Sequence, residues 1–375
     1  MHIAVLGAGM VGRTIAKDLS EKFSVTSFDI SEQSLQMLSA GCPDIKTIKA
    51  DLGDYNSYAQ LLKDVDVVVS AVPGFMGYQT LKEIILCGKN VVDISFFPEN
   101  ALDLDALAKE KNVTAIVDCG VAPGMSNLIL GYHDTQMKIH TFECMVGGLP
   151  KTRIKPFEYK APFSPVDVIE EYTRPARYVE NGHLVTKPAL SDAALHDFEL
   201  AGTLESFNTD GLRSIIFTMP HIPNMKEKTL RYPGHIALMQ ALLKAGFLSH
   251  DAVTVKNIPV KPIDFTSALL FDQWKLKDGE AEFTLMQIVL EGTMNEKPSR
   301  VEYLLYDEYD VATNTSSMSR TTGYTCTAAV NLLTDHIFNE KGVFPPELVG
   351  RHERCFHYIM QYLEARNIYY RKHIS

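Results

Sequence analysis

Along the first 118 residues, short apolar runs alternate with stretches whose apolar positions recur at helical spacing. The apolar runs fall at 2–6, 24–28, 45–49, 65–71, 90–94 and 113–117, and the helical patterns near 11–21, 31–40, 54–63, 77–87 and 101–111. Strands alternating with helices predict a parallel sheet with helices on both faces. The run Val65-Asp66-Val67-Val68-Val69-Ser70-Ala71-Val72 is almost wholly apolar, as a strand covered on both faces must be. Pro123-Gly124-Met125-Ser126-Asn127 then interrupts the pattern, and 126–134 reads as a short helix. From 136 to about 320, β-like stretches recur at 138–146, 212–218, 258–265, 281–291 and 301–307, with helical candidates at 165–172, 191–196 and 235–245. Turn-forming runs, Glu180-Asn181-Gly182-His183 and Lys277-Asp278-Gly279-Glu280, separate some of them. Helical periodicity returns at 325–338 and, after Pro345-Pro346, at 346–365.

The fold class expected from this pattern is α/β: a Rossmann-type doubly wound parallel sheet, then an α+β domain carrying a mixed or antiparallel sheet. Residues 1–120 plus about 322–375 would form the dinucleotide-binding domain, the C-terminal helices packing back on it. Residues 121–321 would form the substrate and dimerisation domain.

The first strand runs into Gly7-Ala8-Gly9-Met10-Val11-Gly12, and Asp29 closes the second strand seventeen residues beyond Gly12. A strand, a G-x-G-x-x-G turn, a helix and an acidic residue at this spacing form the dinucleotide-binding signature. Gly7 permits the tight turn, Gly9 lets backbone approach a pyrophosphate, and Gly12 lets helix and strand pack closely. The helix N-terminus at Met10 and Val11 offers N–H groups and a positive dipole end to the phosphates. Asp29 accepts hydrogen bonds from the adenosine ribose and repels a 2′-phosphate, and Ile30-Ser31 supply no arginine to attract one. The expected cofactor is therefore NAD rather than NADP. Ligands of such sheets lie at the carboxyl ends of the strands. That places Asp51 by the adenine, Ala71-Val72-Pro73 under the nicotinamide half, and Asp93 and Asp118 near the ring, with turn or cap roles the alternative for Asp51 and Asp93.

Composition narrows the class further. With 36 Lys and Arg against 46 Asp and Glu, the formal net charge is −10, which argues against nucleic acid or an anionic membrane surface as partner. No apolar run approaches the ~20 residues of a membrane span, and the fingerprint starts at residue 3, so a cytoplasmic chain without a leader is expected. Cys42, Cys87, Cys119, Cys144, Cys326 and Cys355 fit no zinc spacing and read as free thiols. His352 and His357 are five apart, off a common helical face, so no metal is expected.

Four later stretches are dense in polar and turn-forming residues: 147–150 with Tyr159-Lys160 following, 170–177, 208–213 and 226–235. Val117-Asp118-Cys119-Gly120-Val121-Ala122-Pro123-Gly124-Met125-Ser126-Asn127 resembles the loop after the last Rossmann strand in the saccharopine dehydrogenase-like family. Phe163-Ser164-Pro165 through Arg174-Pro175-Ala176-Arg177, Thr209-Asp210-Gly211-Leu212-Arg213 and Lys228-Thr229-Leu230-Arg231-Tyr232-Pro233-Gly234-His235 resemble its later motifs. The resemblance runs from residue 1 to about 350, and Glu-Tyr-Thr-Arg-Pro-Ala-Arg looks most like the L-lysine 6-dehydrogenase branch. It implies NAD-dependent oxidation of a side-chain amine of an amino acid, L-lysine foremost, to its 6-semialdehyde. Saccharopine and carboxynorspermidine-type reductases run related chemistry in reverse, and Asp29 departs from their NADPH-preferring pattern. A cofactor-binding regulatory protein without turnover is the reading from another class. The resemblance also leans towards a homodimer, the commonest assembly.

Amine oxidation needs a neutral amine, so a group must take its proton, and a water must be activated against the imine. Asp118, His235 and Lys160 are the candidates, with His140 behind them as a strand residue. An α-carboxylate calls for arginine. Arg231 comes first and Arg174 second, while Arg177 and Arg213 serve equally well as structural ion-pair partners. Asp93 is placed with the substrate, and Tyr159 and Tyr232 would line the apolar part of the pocket.

Overall fold

A computed structural model describes residues 1–277 and 279–375. The chain begins β1 (His2–Leu6), α1 (Met10–Ser20), β2 (Ser24–Asp29), α2 (Glu32–Gly41), β3 (Lys46–Lys49), α3 (Tyr58–Leu61), β4 (Val67–Ser70), α4 (Gly74–Leu86), β5 (Asn90–Asp93), α5 (Asp105–Glu110) and β6 (Thr114–Ile116). These strands pair in parallel. All four residues of β4 are buried, because helices cover both faces of the sheet.

The chain continues with α6 (Met125–Asp134), β7 (Lys138–Pro150), α7 (Pro165–Thr173), β8 (Ala176–Glu180), β9 (His183–Lys187), β10 (Ala194–Phe198), β11 (Gly202–Asn208), α8 (Ile215–Thr218), β12 (Asn224–Arg231) and α9 (His235–Lys244). A small hairpin, β13 (Val253–Val255) and β14 (Ile258–Val260), precedes α10 (Pro262–Trp274), β15 (Glu282–Met294) and β16 (Lys297–Glu308). Then come α11 (Ser317–Thr334), β17 (Gly342–Phe344), α12 (Pro346–Gly350), α13 (Glu353–Glu364) and β18 (Tyr370–Ile374).

The first sheet has the order β17-β6-β5-β4-β1-β2-β3, reversing direction at β1 and β4 as a doubly wound sheet does. The second is mixed, with the main path β10-β11-β12-β7-β15-β16-β18 and the pair β8 and β9 beside β12. Only its β12–β7 pairing is parallel among the described strands. Helix α11 lies between the two sheets, packing on α1 on one side and β15 on the other. Among the described residues, no helix is long and apolar enough to cross a membrane.

Several elements differ from the sequence expectation. The C-terminal segment does not stay with the first domain: β17 extends the first sheet, but β18 pairs with β16 in the second. The apolar run 212–218 is a helical turn rather than a strand, because Arg213 takes a left-handed backbone (φ 55°) and turns the chain just before it. Only 258–260 of the run 258–265 is strand, since Pro262 starts α10. The candidate helix at 191–196 lies partly in β10, and 346–365 is two helices with a break at 351–352. The Asn181-Gly182 turn joins β8 to β9 with both residues at positive φ, the geometry such a pair favours. The turn run 277–280 includes Asp278, which lies outside the described residues.

Candidate active site

A cavity of about 1260 Å³ opens between the two sheets. One wall is mostly backbone. At Gly7 (φ 105°) a β-carbon would stand 2.4 Å from the Ala71 carbonyl oxygen, and at Gly12 it would stand 2.1 Å from the Gly7 carbonyl oxygen. Both glycines are therefore demanded by close packing of loop, helix and strand. Gly9 differs: nothing lies within 4 Å of its β-carbon position among the described residues, so the bare backbone faces open cavity. Helix α1 starts there with no side-chain cap among the described residues, which leaves its first N–H groups for a ligand. Asp29 accepts the Ala8 N–H at 2.6 Å and the Ser31 N–H at 2.7 Å, one on each oxygen. This fixes the carboxylate at the end of β2 and leaves each oxygen a further lone pair for a ribose hydroxyl. The glycine cradle, the uncapped helix and the fixed acid fit a nicotinamide dinucleotide. Gly7, Gly9, Met10, Val11, Gly12, Asp29, Asp51, Ala71, Val72 and Pro73 all line this wall.

The facing wall is made of side chains. Strand period 2 turns Glu227, Thr229 and Arg231 of β12 to the cavity. Helix spacing does the same for Asp167, Glu170, Glu171 and Arg174, at i, i+3, i+4 and i+7 along α7 and its C-terminal residue. Arg231 is fully engaged. It binds Glu171 at 2.7 Å, the Tyr172 hydroxyl at 3.0 Å and the Leu230 carbonyl at 2.9 Å, and lies 4.4 Å above the Tyr159 ring. Arg174 binds Glu170 at 3.2 Å and lies over the Phe96 ring, but its Nη1 is buried without a hydrogen-bond partner among the described residues.

Asp118 leaves β6 in a left-handed conformation (φ 51°) and is held by Arg213, with Nη2 at 2.9 Å and Nε at 3.2 Å. Arg213 also donates to the Phe97 carbonyl, tying the two domains together at the cavity floor. Asp210 is bound on both oxygens by Arg177 at 2.8 Å. Both arginines thus take the structural of their two expected roles. Burial, with the charges of Glu171 and Asp210 behind it, pushes the Glu227 carboxyl up to about 8. Asp167 is pushed up to about 6, again chiefly by burial.

Of the substrate-side candidates, Asp118, Arg174 and Arg231 line the cavity, while His235, Lys160, Tyr159 and Asp93 sit behind its walls. His235 is 3 % exposed. Burial and then Arg231 lower its imidazole to about 3, so the ring is neutral. Its Nδ1–H donates to the Phe157 carbonyl and its Nε2 accepts from the Tyr172 hydroxyl, each at 2.9 Å. With the Tyr172 oxygen accepting from Arg231, this chain fixes the guanidinium and brings no imidazole to the cavity. Lys160 turns away, donating to the Lys275 carbonyl at 3.3 Å with Glu280 at 3.8 Å. Asp93 is fully buried, takes the Ser95 N–H at 3.2 Å, and is pushed up to about 7 by burial. Tyr159 lies beneath Arg231, Tyr232 donates to the Pro150 carbonyl, and His140 is exposed on β7. Glu227 was passed over among the candidates, although Glu227, Thr229 and Arg231 alternate through one of the polar stretches.

Two family models divide the chain just after β6. The saccharopine dehydrogenase NADP binding domain matches residues 3–116 and the saccharopine dehydrogenase C-terminal domain matches residues 120–368. The chain belongs to the saccharopine dehydrogenase family. Curated relatives include an alpha-aminoadipic semialdehyde synthase of Arabidopsis thaliana, 26% identical over 64% of this chain and 24% of that protein. Another is a saccharopine dehydrogenase [NADP(+), L-glutamate-forming] of Pyricularia oryzae, 28% identical over 66% of this chain and 58% of that protein. The match therefore spans about a quarter and under three fifths of these relatives' own lengths. Apo saccharopine dehydrogenase (L-Glu forming) from Saccharomyces cerevisiae shares the fold, with a TM-score of 0.81 and 20% identity over 100% of this chain and 99% of that one.

Proposed function

We propose that this protein is an NAD-dependent dehydrogenase acting on a side-chain amine of an amino acid, L-lysine foremost, to give the 6-semialdehyde. One observation carries the reading. A wall rich in carboxyls, with an Arg174 Nη1 that is buried and without a partner among the described residues, faces a dinucleotide cradle across one cavity. Such a wall suits a substrate with an ammonium at one end and a carboxylate at the other.

A bound nicotinamide dinucleotide supplies the hydride acceptor. The glycine loop and the first turn of α1 would hold its pyrophosphate, and Asp29 its adenosine ribose. Asp29 also supports NAD over the NADP of the family model's description, because a 2′-phosphate would meet a fixed carboxylate. Arg174 would take the α-carboxylate through its free Nη1, in a charge-assisted hydrogen bond. Arg231, already neutralised by Glu171, would keep α7 and β12 in register. The charge of Asp118 is balanced by Arg213, so it would receive hydrogen bonds from the amine and orient it near the cofactor.

The curated relatives' names favour a second reading, a reductase that joins an amino acid or amine to an aldehyde. An absorbance assay at the reduced-nicotinamide band separates the two. NADH formation from NAD and lysine alone supports the dehydrogenase. Cofactor oxidation only with an amine and an aldehyde together supports the reductase. Dinucleotide binding without turnover on any amino acid or polyamine would leave a cofactor-binding regulator.

A further inference from the structure

We propose that Glu227 is the group that takes the proton from the substrate's ammonium before the hydride leaves. The inference rests on the reading of the cavity as an amine-oxidising site. Glu227 is 4 % exposed, lines the cavity from the middle of β12, and holds its Oε2 buried without a hydrogen-bond partner among the described residues. Room for this carboxyl is made by Gly211, where a β-carbon would stand 1.7 Å from Oε1.

Its surroundings separate it from the other acids. Glu171 on α7, Asp210 after β11 and Asp118 after β6 all raise its proton affinity, and each is tied to an arginine. Glu227 has no lysine, arginine or histidine within ion-pair distance among the described residues. The Arg213 guanidinium pulls the other way, while Cys144 of β7 and Tyr178 of β8 also feel the Glu227 charge. Before substrate binds, Glu227 is therefore a neutral carboxylic acid, which an arriving ammonium ionises.

The balance is simple. On binding, the Glu227 O–H proton leaves to solvent and the carboxylate pairs with R–CH2–NH3⁺. One N–H bond then breaks and an O–H bond forms on Glu227, leaving a free amine lone pair. That pair forms the C=N bond as the C–H bond breaks, and its hydride passes to the nicotinamide of NAD. Once the amine is neutral, the burial and neighbouring carboxyls that raise Glu227 favour its protonated form, which helps it keep the proton as the hydride leaves.

The test uses the full chain saturated with NADH, so that L-lysine binds without turnover. Calorimetry in two buffers of different ionisation enthalpy reads proton release. Wild type is expected to release about one proton per lysine at pH 7, and Glu227→Gln none. In turnover with NAD, Glu227→Gln is expected to lower kcat by roughly 10²–10⁴-fold while KM changes by less than about threefold. Proton release or kcat surviving in Glu227→Gln overturns the proposal and leaves the dehydrogenase reading intact. Wild type that neither binds lysine nor oxidises any amine overturns both. Glutamine mimics the neutral acid, so the variant should melt with wild type at pH 7. Should it not fold, Glu227→Asp keeps the carboxyl but withdraws it: release should persist while kcat falls about tenfold or more, and an unchanged kcat overturns the assignment.

Discussion

The two walls of the cavity are made of different material. One is backbone shaped by glycines, where function depends on the absence of side chains. The other is a lattice of charged side chains, where Glu170, Glu171, Asp118 and Asp210 are each paired with an arginine and Glu227, among the described residues, is not. A backbone wall can be spoiled by adding atoms, and a charged wall by removing them.

The largest expected effect lies in the charged wall. Arg231→Ala removes a buried guanidinium and leaves the half-buried Glu171 carboxylate unpaired, which should cost about 3 kcal/mol of stability, read as a shift in the urea midpoint. Next comes the glycine wall. Gly12→Ala forces a β-carbon against the Gly7 carbonyl and should cost about 1–3 kcal/mol together with dinucleotide affinity. Gly9→Ala sharpens the contrast. Its β-carbon has space, so stability should change by less than about 1 kcal/mol, while dinucleotide titration shows weakened binding. A Gly9→Ala protein with unchanged dinucleotide affinity would break the assignment of that wall.

Arg174→Gln tests the two arginines against each other. Its pair with Glu170 is partly exposed, so stability should move by under about 1 kcal/mol. KM for the amino acid should rise about 10–100-fold, the worth of one hydrogen bond to a charged group. Asp29→Ser should cut the preference for NAD over NADP about tenfold, and a wild type that already prefers NADP would refute the ribose argument. Last comes a pH response from the aromatic cluster behind the charged wall. The folded-state imidazole of His235 is depressed to about 3, so its contribution is full above the unfolded value of ~6.5 and is lost as pH falls towards 3. The chain has a single tryptophan, Trp274, whose ring lies 6.2 Å from that of His235. Its fluorescence should report loosening on acidification before dinucleotide binding fails.

The same contrast explains what could be read from the chain alone. Strands β1 and β4–β6 are buried on both faces, so they appear as continuous apolar runs, and the glycine spacing supplies the turn and helix. Asp29, Ala71 and Pro73 follow because they sit at strand ends. Strand β12 was not legible as a strand, since Glu227, Thr229 and Arg231 turn polar atoms to a cavity where a core strand would show apolar ones. His235 looked chemical beside Arg231 in sequence, yet it heads the next helix and faces the aromatic cluster of Tyr159, Tyr172 and Trp274. The sequence puts Arg231 ahead of Arg174 because it does not record that Glu171 and Tyr172 engage Arg231, while Arg174 keeps an Nη1 without a partner among the described residues. The raised proton affinity of Glu227 comes first from burial and then from carboxyls on three other segments, which no local pattern records.

The ends of the two sheets bear on how the molecule is made. β17 closes the edge of the first sheet and β18 the edge of the second, and both come from the last 34 residues. Neither sheet is a continuous length of chain, and neither has its final edge until β17 and β18 have been made. Until then a growing polypeptide would carry two open strand edges, each able to pair with a neighbour. β17 and β18 thus act as a double seal, and removing them would expose sheet edges far from the chemistry.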